Sequence, residues 1–290
     1  MKVIRDPVRL NKNLKAQSRK GKSIGFVPTM GALHLGHLSL IKQAVKDNDL
    51  AVVSIFVNPA QFGPQEDLNK YPRPLKNDLA LCRKAGVDFV FLPDQKIMYP
   101  EGFSTFVNVG EMGQVLCGLT RPGHFRGVAT VVAKLLNIIA PAVLYLGQKD
   151  AQQAAVIKRM VEDLNFPVAV KVMPTVRLDS GLAISSRNLY LNANQIKLAG
   201  VLWEALSYGR ELIQSGLRNY PQIILRMKKI ILKKGPFAID YISIVDAKSL
   251  KPVDKFSRRI LIALAVRINK VRLIDNLIVT KSGKLTGAGK

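Results

Sequence analysis

The chain has 290 residues, of which 48% are hydrophobic, so it can form one large or two ordinary domains with packed cores, and a disordered chain is excluded. Two cysteines are too few for a disulfide scaffold, and no apolar run reaches the ~18 residues of a membrane span. Because residues 1–10 lack the apolar core of a signal peptide, we expect a cytoplasmic protein without a membrane partner.

The formal net charge is +24, from 44 Lys and Arg against 20 Asp and Glu. The basic residues are spread along both halves of the chain and form no basic tail. Such a surface attracts nucleic acids, but no RNA-recognition or helix-turn-helix motif accompanies it. We therefore expect a solvated basic surface without a nucleic-acid partner, and keep nucleic-acid binding as the alternative from another class of function.

Strand-like and helix-like segments alternate through the first 175 residues. The predicted strands are 24–29, 50–57, 88–92, 142–146 and 168–172. The predicted helices are 36–45, 75–85, 151–164 and one through the apolar positions 128–139, which Pro141 ends. This order predicts an α/β fold with a parallel sheet, whose ligands bind beyond the carboxyl ends of the strands.

The remaining residues have a different pattern. Helices are predicted over 193–215 and 221–234, and strands rich in β-branched residues over 239–245, 260–268 and 271–279. We therefore expect a smaller α+β domain, with the boundary near Thr175–Val176. The Gly- and Lys-rich residues 281–290 are expected to fray.

The stretch Pro28–His37 reads PTMGALHLGH and joins a predicted strand to a predicted helix. A helix N-terminus offers unpaired N–H groups and a positive dipole end, which suit phosphate. In the order His34-Leu35-Gly36-His37, the glycine allows close backbone approach while two imidazoles point at the same place. Transfer of a nucleotidyl group from ATP needs such an arrangement, because charge grows on the α-phosphate oxygens.

Three other segments carry polar groups at positions suited to a ligand. Asn58 and Gln61 follow a buried strand, where their amides could bind hydroxyls and a carboxylate. Gly147 allows close approach at the end of another strand, and Lys149 is a compact cation for phosphate oxygens. Ser185-Ser186-Arg187 could hold a triphosphate.

The roles of two further segments stay open. His124-Phe125-Arg126-Gly127 could supply another anion clamp. Asp78 could approach metal-bound phosphates, but we expect a solvated helix residue. Because no Ser-His-Asp order, zinc spacing or Gly-x-x-x-x-Gly-Lys-Ser/Thr loop is present, the residues favour adenylation, in which the substrate supplies the nucleophile.

In combination, these motifs closely resemble those of the pantothenate synthetase family. The matching segments occur in the family's order along nearly the whole chain: Pro28–His37, Phe56–Phe62, Tyr71–Arg73, His124–Val128, Gly147–Asp150, Pro174–Arg177, Ser185–Asn188, Asp240–Tyr241 and Arg272–Asn276. The resemblance implies a Rossmann-like domain over 1–175, a C-terminal lid domain over 176–290, and a homodimer in the bacterial cytoplasm. It also implies that ATP, (R)-pantoate and β-alanine give pantothenate, AMP and pyrophosphate through pantoyl adenylate, with Mg²⁺.

The resemblance further implies residue roles. His37 would be the proton donor, with His34, Lys149 and Arg187 as the other catalytic residues. ATP would be lined by Met30, Gly31, Ala32, Leu33, His34, Leu35, Gly36, His37, Gly147, Gln148, Lys149, Asp150, Val176, Ile184, Ser185, Ser186 and Arg187. Pantoate would be held by Asn58, Gln61, Phe62, Arg126 and Gln153, with Gln61 also near β-alanine. No metal ligands are implied.

Three positions depart from the family's usual residues. Gln148 replaces a Glu, Ala151 an aromatic residue and Ile184 a Met. Gln148 keeps hydrogen bonding but loses a charge, so ATP affinity is expected to shift while activity is retained. The alternative within the same chemistry is a related enzyme that transfers AMP to another acceptor.

Overall fold

The structure, a computed structural model, describes residues 1–64, 66–253 and 259–280. They form two compact units. The first unit contains Met1–Gln114, Arg121–Gly147 and Val156–Met173, and the second contains Val115–Thr120, Gln148–Ala155 and the described residues from Pro174 onward. The domain boundary at Thr175–Val176 stays a prediction. Residues 281–290, which were expected to fray, lie outside the described residues.

The first unit is built on a parallel six-stranded sheet. Its strands are β1 (Lys2–Ile4), β2 (Ile24–Thr29), β3 (Leu50–Ile55), β4 (Phe89–Phe91), β5 (Val143–Gly147) and β6 (Ala169–Met173). Their order across the sheet is β1-β4-β3-β2-β5-β6, which confirms the predicted α/β fold. Because the chain winds away from β2 in both directions, the carboxyl ends of β2 and β5 mark the switch point where open α/β sheets bind ligands.

The described helices, in chain order, are α1 (Pro7–Ser18), α2 (Leu35–Asp47), α3 (Leu75–Lys84), α4 (Gln95–Met98), α5 (Cys117–Thr120), α6 (His124–Ile139), α7 (Ala151–Asp163), α8 (Ala193–Ala199), α9 (Val201–Gln214) and α10 (Tyr220–Lys234). Neither β1 nor α1 was predicted from the sequence. Helix α1 begins where Asp6 accepts a hydrogen bond from the Arg9 amide, and it buries Leu10 and Leu14. In the described part of the chain, no helix is long and apolar enough to span a membrane.

The second unit contains an antiparallel sheet of β7 (Phe237–Asp246), β8 (Arg259–Ile268) and β9 (Val271–Thr280). Its apolar cluster joins residues of α9 and α10 to the strands, including Leu206, Met227 and Ile262. The single helix predicted over 193–215 is two helices. Between them, the amides of Gly200 and Trp203 donate to carbonyls three residues back, and these 3₁₀-type bonds interrupt the α-helix.

Candidate active site

The turn after β2 has an unusual backbone. Gly31 and Ala32 have φ angles of +80° and +49°, so two successive residues lie in the left-handed region. Thr29 holds the start of the turn, because its hydroxyl donates to the Ser54 carbonyl at 2.7 Å and accepts from the Gly31 amide at 3.1 Å. The turn is thus tied to the neighbouring strand β3 before helix α2 begins.

Asp78, in the first turn of α3, holds the same turn from the other side. Its carboxylate accepts hydrogen bonds from the amides of Ala32 at 2.9 Å and Leu33 at 2.8 Å, and the residue is 1% exposed. The expectation of a solvated helix residue was therefore wrong. Both amides already donate to Asp78. Ala32 and Leu33 would therefore contact a nucleotide through atoms other than these N–H groups.

The two histidines stand together at the start of α2. His34 is the N-cap, and its Nδ1 accepts a hydrogen bond of 3.2 Å from the Gly36 amide. A neutral ring with an accepting Nδ1 carries its proton on Nε2. The rings of His34 and His37 lie 4.0 Å apart between centroids and are tilted by 30°. With no acidic residue in its first turn, the helix start keeps a positive field for an anion.

Asn58 organises the segment after β3. Its side-chain nitrogen donates to Gln61 Oε1 and to the Gly127 carbonyl, both at 3.1 Å. Its oxygen accepts from the Tyr99 hydroxyl at 2.8 Å and from the Ala60 amide at 3.3 Å. All four positions of this buried amide are therefore used within the protein.

Gln61 is oriented by Asn58 and reaches the turn after β2. Its Nε2 lies 2.8 Å from Met30 Sδ. A thioether is a weak acceptor, so this amide group can donate to a ligand oxygen instead. Phe62, beside it, packs edge-on against Tyr71 at 6.0 Å between ring centroids. The structure thus brings Gln61 and Met30, two sequence-predicted residues, into contact.

The two basic side chains of the proposed anion clamp, His124 and Arg126 at the start of α6, lie in different surroundings. Both ring nitrogens of His124 contact protein groups: Nε2 lies 3.1 Å from Arg121 Nη1, and Nδ1 lies 2.7 Å from the Gln61 carbonyl oxygen. Arg126 lies with its guanidinium 3.8 Å above the ring of Phe106. Of the two basic side chains, only Arg126 presents an exposed cation.

In the second unit, Asn276 of β9 holds the segment that follows β5. Its Nδ2 donates to the carbonyls of Gln148 and Lys149 at 2.9 and 2.8 Å, and its Oδ1 accepts from Gln148 Nε2 at 2.8 Å. Lys149 Nζ lies 3.3 Å from Asp150 Oδ1. Asn276 therefore fixes the backbone that carries Lys149, and the Gln148 side chain orients Asn276. At Gly147, an added Cβ would meet no atom within 4 Å.

Gln152, the second residue of α7, holds the segment that leads into α5. Gln152 is buried, accepts from the Cys117 amide at 3.0 Å and donates to the Val115 carbonyl at 2.7 Å. Gln153, the residue predicted to hold pantoate, is half-buried.

Val176 and Ile184 are neighbours, because the Ile184 amide donates to the Val176 carbonyl at 3.0 Å. Ser185 then caps a short 3₁₀ helix, accepting from the Arg187 amide at 3.3 Å, so its hydroxyl proton stays available to a ligand oxygen. The structure thus places Val176 beside Ile184 and Ser185.

Val176 to Ile184 form a short hairpin, in which Arg177 and Ala183 are paired as an antiparallel bridge. Arg177 anchors this hairpin. It forms a two-pronged ion pair with Asp275, at 2.6 and 2.9 Å, and its guanidinium lies 3.8 Å above the ring of Trp203. Burial raises the pKa of the fully enclosed Asp275, and the Arg177 guanidinium opposes that shift.

Sequence reasoning missed the roles of Asp78, Arg121 and Asn276. Asn276 had a signal, because Asp275 and Asn276 are adjacent polar residues in the middle of an apolar strand. Asp78 had none, since a carboxylate on a helix is usually solvated. Arg121 contacts Glu66 and His124, and only the first of these lies far away in sequence.

Comparisons with known proteins agree over more than nine-tenths of the chain. The sequence model of the family described as pantoate-beta-alanine ligase matches residues 2–278. A pantothenate synthetase of Thermosipho africanus is 52% identical over 279 residues, which cover 96% of this chain and 100% of the relative. One from Heliobacterium modesticaldum is 53% identical over 265 residues, covering 91% and 94%.

Solved structures show the same similarity. A pantothenate synthetase of Thermus thermophilus superposes with a TM-score of 0.90 at 44% identity, covering 96% of this chain and 99% of that one. A pantoate-beta-alanine ligase of Francisella tularensis, complexed with beta-gamma ATP and beta-alanine, has a TM-score of 0.78 at 38% identity and covers 96% and 97%.

Proposed function

The chain belongs to the pantoate-beta-alanine ligase family, and on that premise we propose which of its residues bind ATP and pantoate. The enzyme condenses (R)-pantoate with β-alanine in an ATP-dependent reaction through pantoyl adenylate. In the first step, a pantoate carboxylate oxygen attacks the α-phosphorus, and the bond to the bridging oxygen breaks as pyrophosphate leaves. In the second, the β-alanine amine attacks the acyl carbon, AMP leaves with the C–O electron pair, and the amine loses a proton.

The observation that carries the residue roles is the histidine pair at the start of α2. His34 Nε2 carries a proton, and His37 lies in the first turn of α2, at the positive end of the dipole. Two ring N–H groups can stabilise the charge that grows on the α-phosphate oxygens. His37 is the proton donor to the phosphate oxygens, and His34 accompanies it. Met30–His37 line the nucleotide.

Two cations and two hydroxyls complete the phosphate-binding groups that the family resemblance implies. Lys149 supplies a point charge, Arg187 a planar fork of donors, and Ser185 and Ser186 supply hydroxyls. Gly147 contributes open backbone, which suits close approach of the nucleotide. Gln148, Asp150, Val176 and Ile184 complete the proposed ATP-binding set.

Gln61 is the main pantoate residue of the first unit. Its amide oxygen accepts from Asn58, and within the described residues its Nε2 has only the Met30 thioether as acceptor, so a hydroxyl or carboxylate oxygen is a better acceptor for it. Asn58 acts by orienting Gln61, since its own amide is fully used. Phe62, Arg126 and Gln153 complete the pantoate set, and Gln61 also serves β-alanine.

Mg²⁺ is part of the proposal. The described residues contain no group of three His, Cys, Asp or Glu side chains that could hold a metal ion, and Mg²⁺ commonly binds through substrate phosphates and water. It would therefore enter with ATP and neutralise charge on the departing pyrophosphate. A homodimer in the cytoplasm, with domain 176–290 as a lid, is also proposed on the family resemblance.

The test is AMP release by the purified protein with ATP and Mg²⁺, omitting pantoate and β-alanine in turn. We expect AMP only when both are present, with pantothenate as the product. AMP release that ignores both compounds would point to another acceptor. Light scattering in the same buffer tests the homodimer, for which a mass of twice 32.0 kDa is expected.

A further inference from the structure

The carbonyl oxygen of Gln61 is held by two side chains from the start of α6 and the turn before it. His124 Nδ1 lies 2.7 Å from this oxygen, and Arg121 Nη2 donates to it at 3.3 Å. Arg121 is fixed in turn by Glu66, which accepts from its Nε at 2.7 Å and from its Nη2 at 2.5 Å. The carbonyl thus has two donors, and one of them is anchored by a two-pronged ion pair.

These contacts determine where the proton of His124 sits. A guanidinium has only donors, so Arg121 Nη1, 3.1 Å from His124 Nε2, requires Nε2 to accept. A carbonyl oxygen has only lone pairs, so Nδ1 must donate to Gln61. The ring is therefore neutral, with its proton on Nδ1. This is the opposite tautomer from that of His34, whose Nδ1 accepts from a backbone amide.

The same ring cannot become charged without losing a contact. A proton added at Nε2 would face the N–H groups of Arg121, whose guanidinium is held in place by Glu66. Arg121 therefore selects the tautomer as well as sharing the carbonyl. The consequence falls on Gln61, because the direction of its backbone carbonyl fixes where its side chain leaves the 3₁₀ turn Pro59–Gln61.

We propose that His124, as a neutral Nδ1–H imidazole selected by Arg121, is a positioning residue that sets the pantoate affinity of Gln61. The inference rests on the proposed role of Gln61 in pantoate binding. It assigns His124 no contact with substrate. It also explains why a histidine, and not a second arginine, suits the position: the side chain must accept from one neighbour and donate to the other.

A matched pair of variants tests the role. In His124→Asn the amide nitrogen occupies roughly the place of Nδ1 and can still donate to Gln61, whereas in His124→Gln it occupies roughly that of Nε2 and faces Arg121. We expect the pantoate KM of His124→Asn to stay within about threefold of the unsubstituted enzyme. That of His124→Gln should rise about tenfold or more, the effect of losing one buried donor. The ATP KM and the kcat at saturating pantoate should change little in both.

Equal pantoate KM values for the two variants, raised or unchanged, would overturn the proposal. Gln61→Ala separates this failure from that of the proposed function: if it leaves the pantoate KM unchanged, the assignment of Gln61 is wrong, whatever His124 does.

The tautomer can be read in the unsubstituted protein. The chain has three histidines, so a long-range ¹H–¹⁵N spectrum shows three imidazoles, and the signal that is absent in His124→Asn belongs to His124. A neutral ring protonated at Nδ1 is expected for His124 at pH 7.5. An imidazolium or a ring protonated at Nε2 would contradict the proposal.

Discussion

Asp78 Oδ1 accepts a hydrogen bond of 2.8 Å from the backbone amide of Leu33, 45 residues earlier in the chain. The second carboxylate oxygen takes the amide of Ala32, whose φ is positive, so one side chain holds the left-handed part of the turn. Residues in this region are strained unless their surroundings fix them. The carboxylate therefore keeps the turn before α2 in the conformation that we assign to nucleotide binding.

Asp78→Asn should weaken ATP binding. An asparagine can accept only one of the two amide bonds and places its own N–H₂ against the other, which leaves a buried donor unsatisfied at a cost of about 1–3 kcal/mol. We expect the ATP KM to rise about tenfold. Steady-state kinetics with saturating pantoate measures this, and Asn77→Ala, one residue away on the exposed side of α3, is the control. An unchanged ATP KM in folded Asp78→Asn would show that the clamp has no role in the turn.

His37→Ala should lower kcat on the order of 10²-fold or more, as for other groups that stabilise developing charge. The fold should survive, because the half-buried ring lies in the first turn of α2, outside the apolar core, and contacts its neighbour His34. Single-turnover formation of pantoyl adenylate gives the rate, and circular dichroism checks the fold. Turnover close to that of the unsubstituted enzyme would remove His37 from the mechanism.

Gln61→Ala should mainly impair the use of pantoate. In the part of the chain that the structure describes, the acceptor of Gln61 Nε2 is the weak thioether of Met30, so its removal breaks no strong hydrogen bond of Nε2 there. We expect the pantoate KM to rise about tenfold or more and the ATP KM to stay within about threefold. Titrating each substrate separately distinguishes the two. An unchanged pantoate KM and kcat would mean that pantoate binds elsewhere.

Gln148→Glu should destabilise the second unit, even though it restores the residue usual in the family. Asn276 Oδ1 needs a donor at this position, because its Nδ2 is committed to two backbone carbonyls. A carboxylate would oppose that oxygen, at a cost of roughly 1–3 kcal/mol in the free energy of unfolding. Urea denaturation measures it, with the exposed Gln222→Glu as a matched control of charge, expected within about 0.5 kcal/mol.

Asp240 predicts a dependence of stability on pH. Burial alone would raise its pKa, but hydrogen bonds from Arg272 at 2.7 Å and Arg267 at 2.9 Å outweigh burial and hold the pKa below the usual 3.8. A lowered folded-state pKa means that the stabilisation is present above pH 3.8 and is lost as the pH falls through the folded-state value.

At pH 7, Asp240→Asn should accordingly have a free energy of unfolding about 1.5–3 kcal/mol below that of the unsubstituted protein. This difference should shrink as the pH falls below 3.8. Urea unfolding at pH 7 and at steps between pH 5 and 3 provides the comparison. A difference that grows towards low pH would contradict the assignment.

The sheet of the first unit could be predicted because its strands are short apolar runs between clear helical repeats. All six residues of β3 are buried, as expected for a central parallel strand. Strand β1 has three residues and α1 is mostly basic and polar, so neither has the strong periodicity that reveals longer elements. The break at Gly200 was missed because the apolar repeat continues on both sides of it.

The site was predictable where the chemistry lies in contiguous motifs, as at His34-x-Gly36-His37. It was not where the deciding contact joins distant segments. The contacts of Asp78 with the turn and of Asn276 with Gln148 span 45 and 128 residues. Hydrogen-bonding capacity also cannot be read from residue type alone: Asn58 has the chemistry of a substrate ligand, yet every donor and acceptor of its side chain already has a partner.

Gly127 brings the backbone of α6 against the 3₁₀ turn that carries Gln61. An added Cβ would lie 2.1 Å from the Ala60 carbonyl oxygen and 2.7 Å from the Gln61 amide nitrogen. Both obstacles are main-chain atoms. Substituting side chains of the turn therefore makes no room for a Cβ at position 127, and such substitutions should not suppress the defect. A library randomised at position 127 should return glycine alone, and an insertion that shifts α6 must carry Asn58 and Gln61 with it.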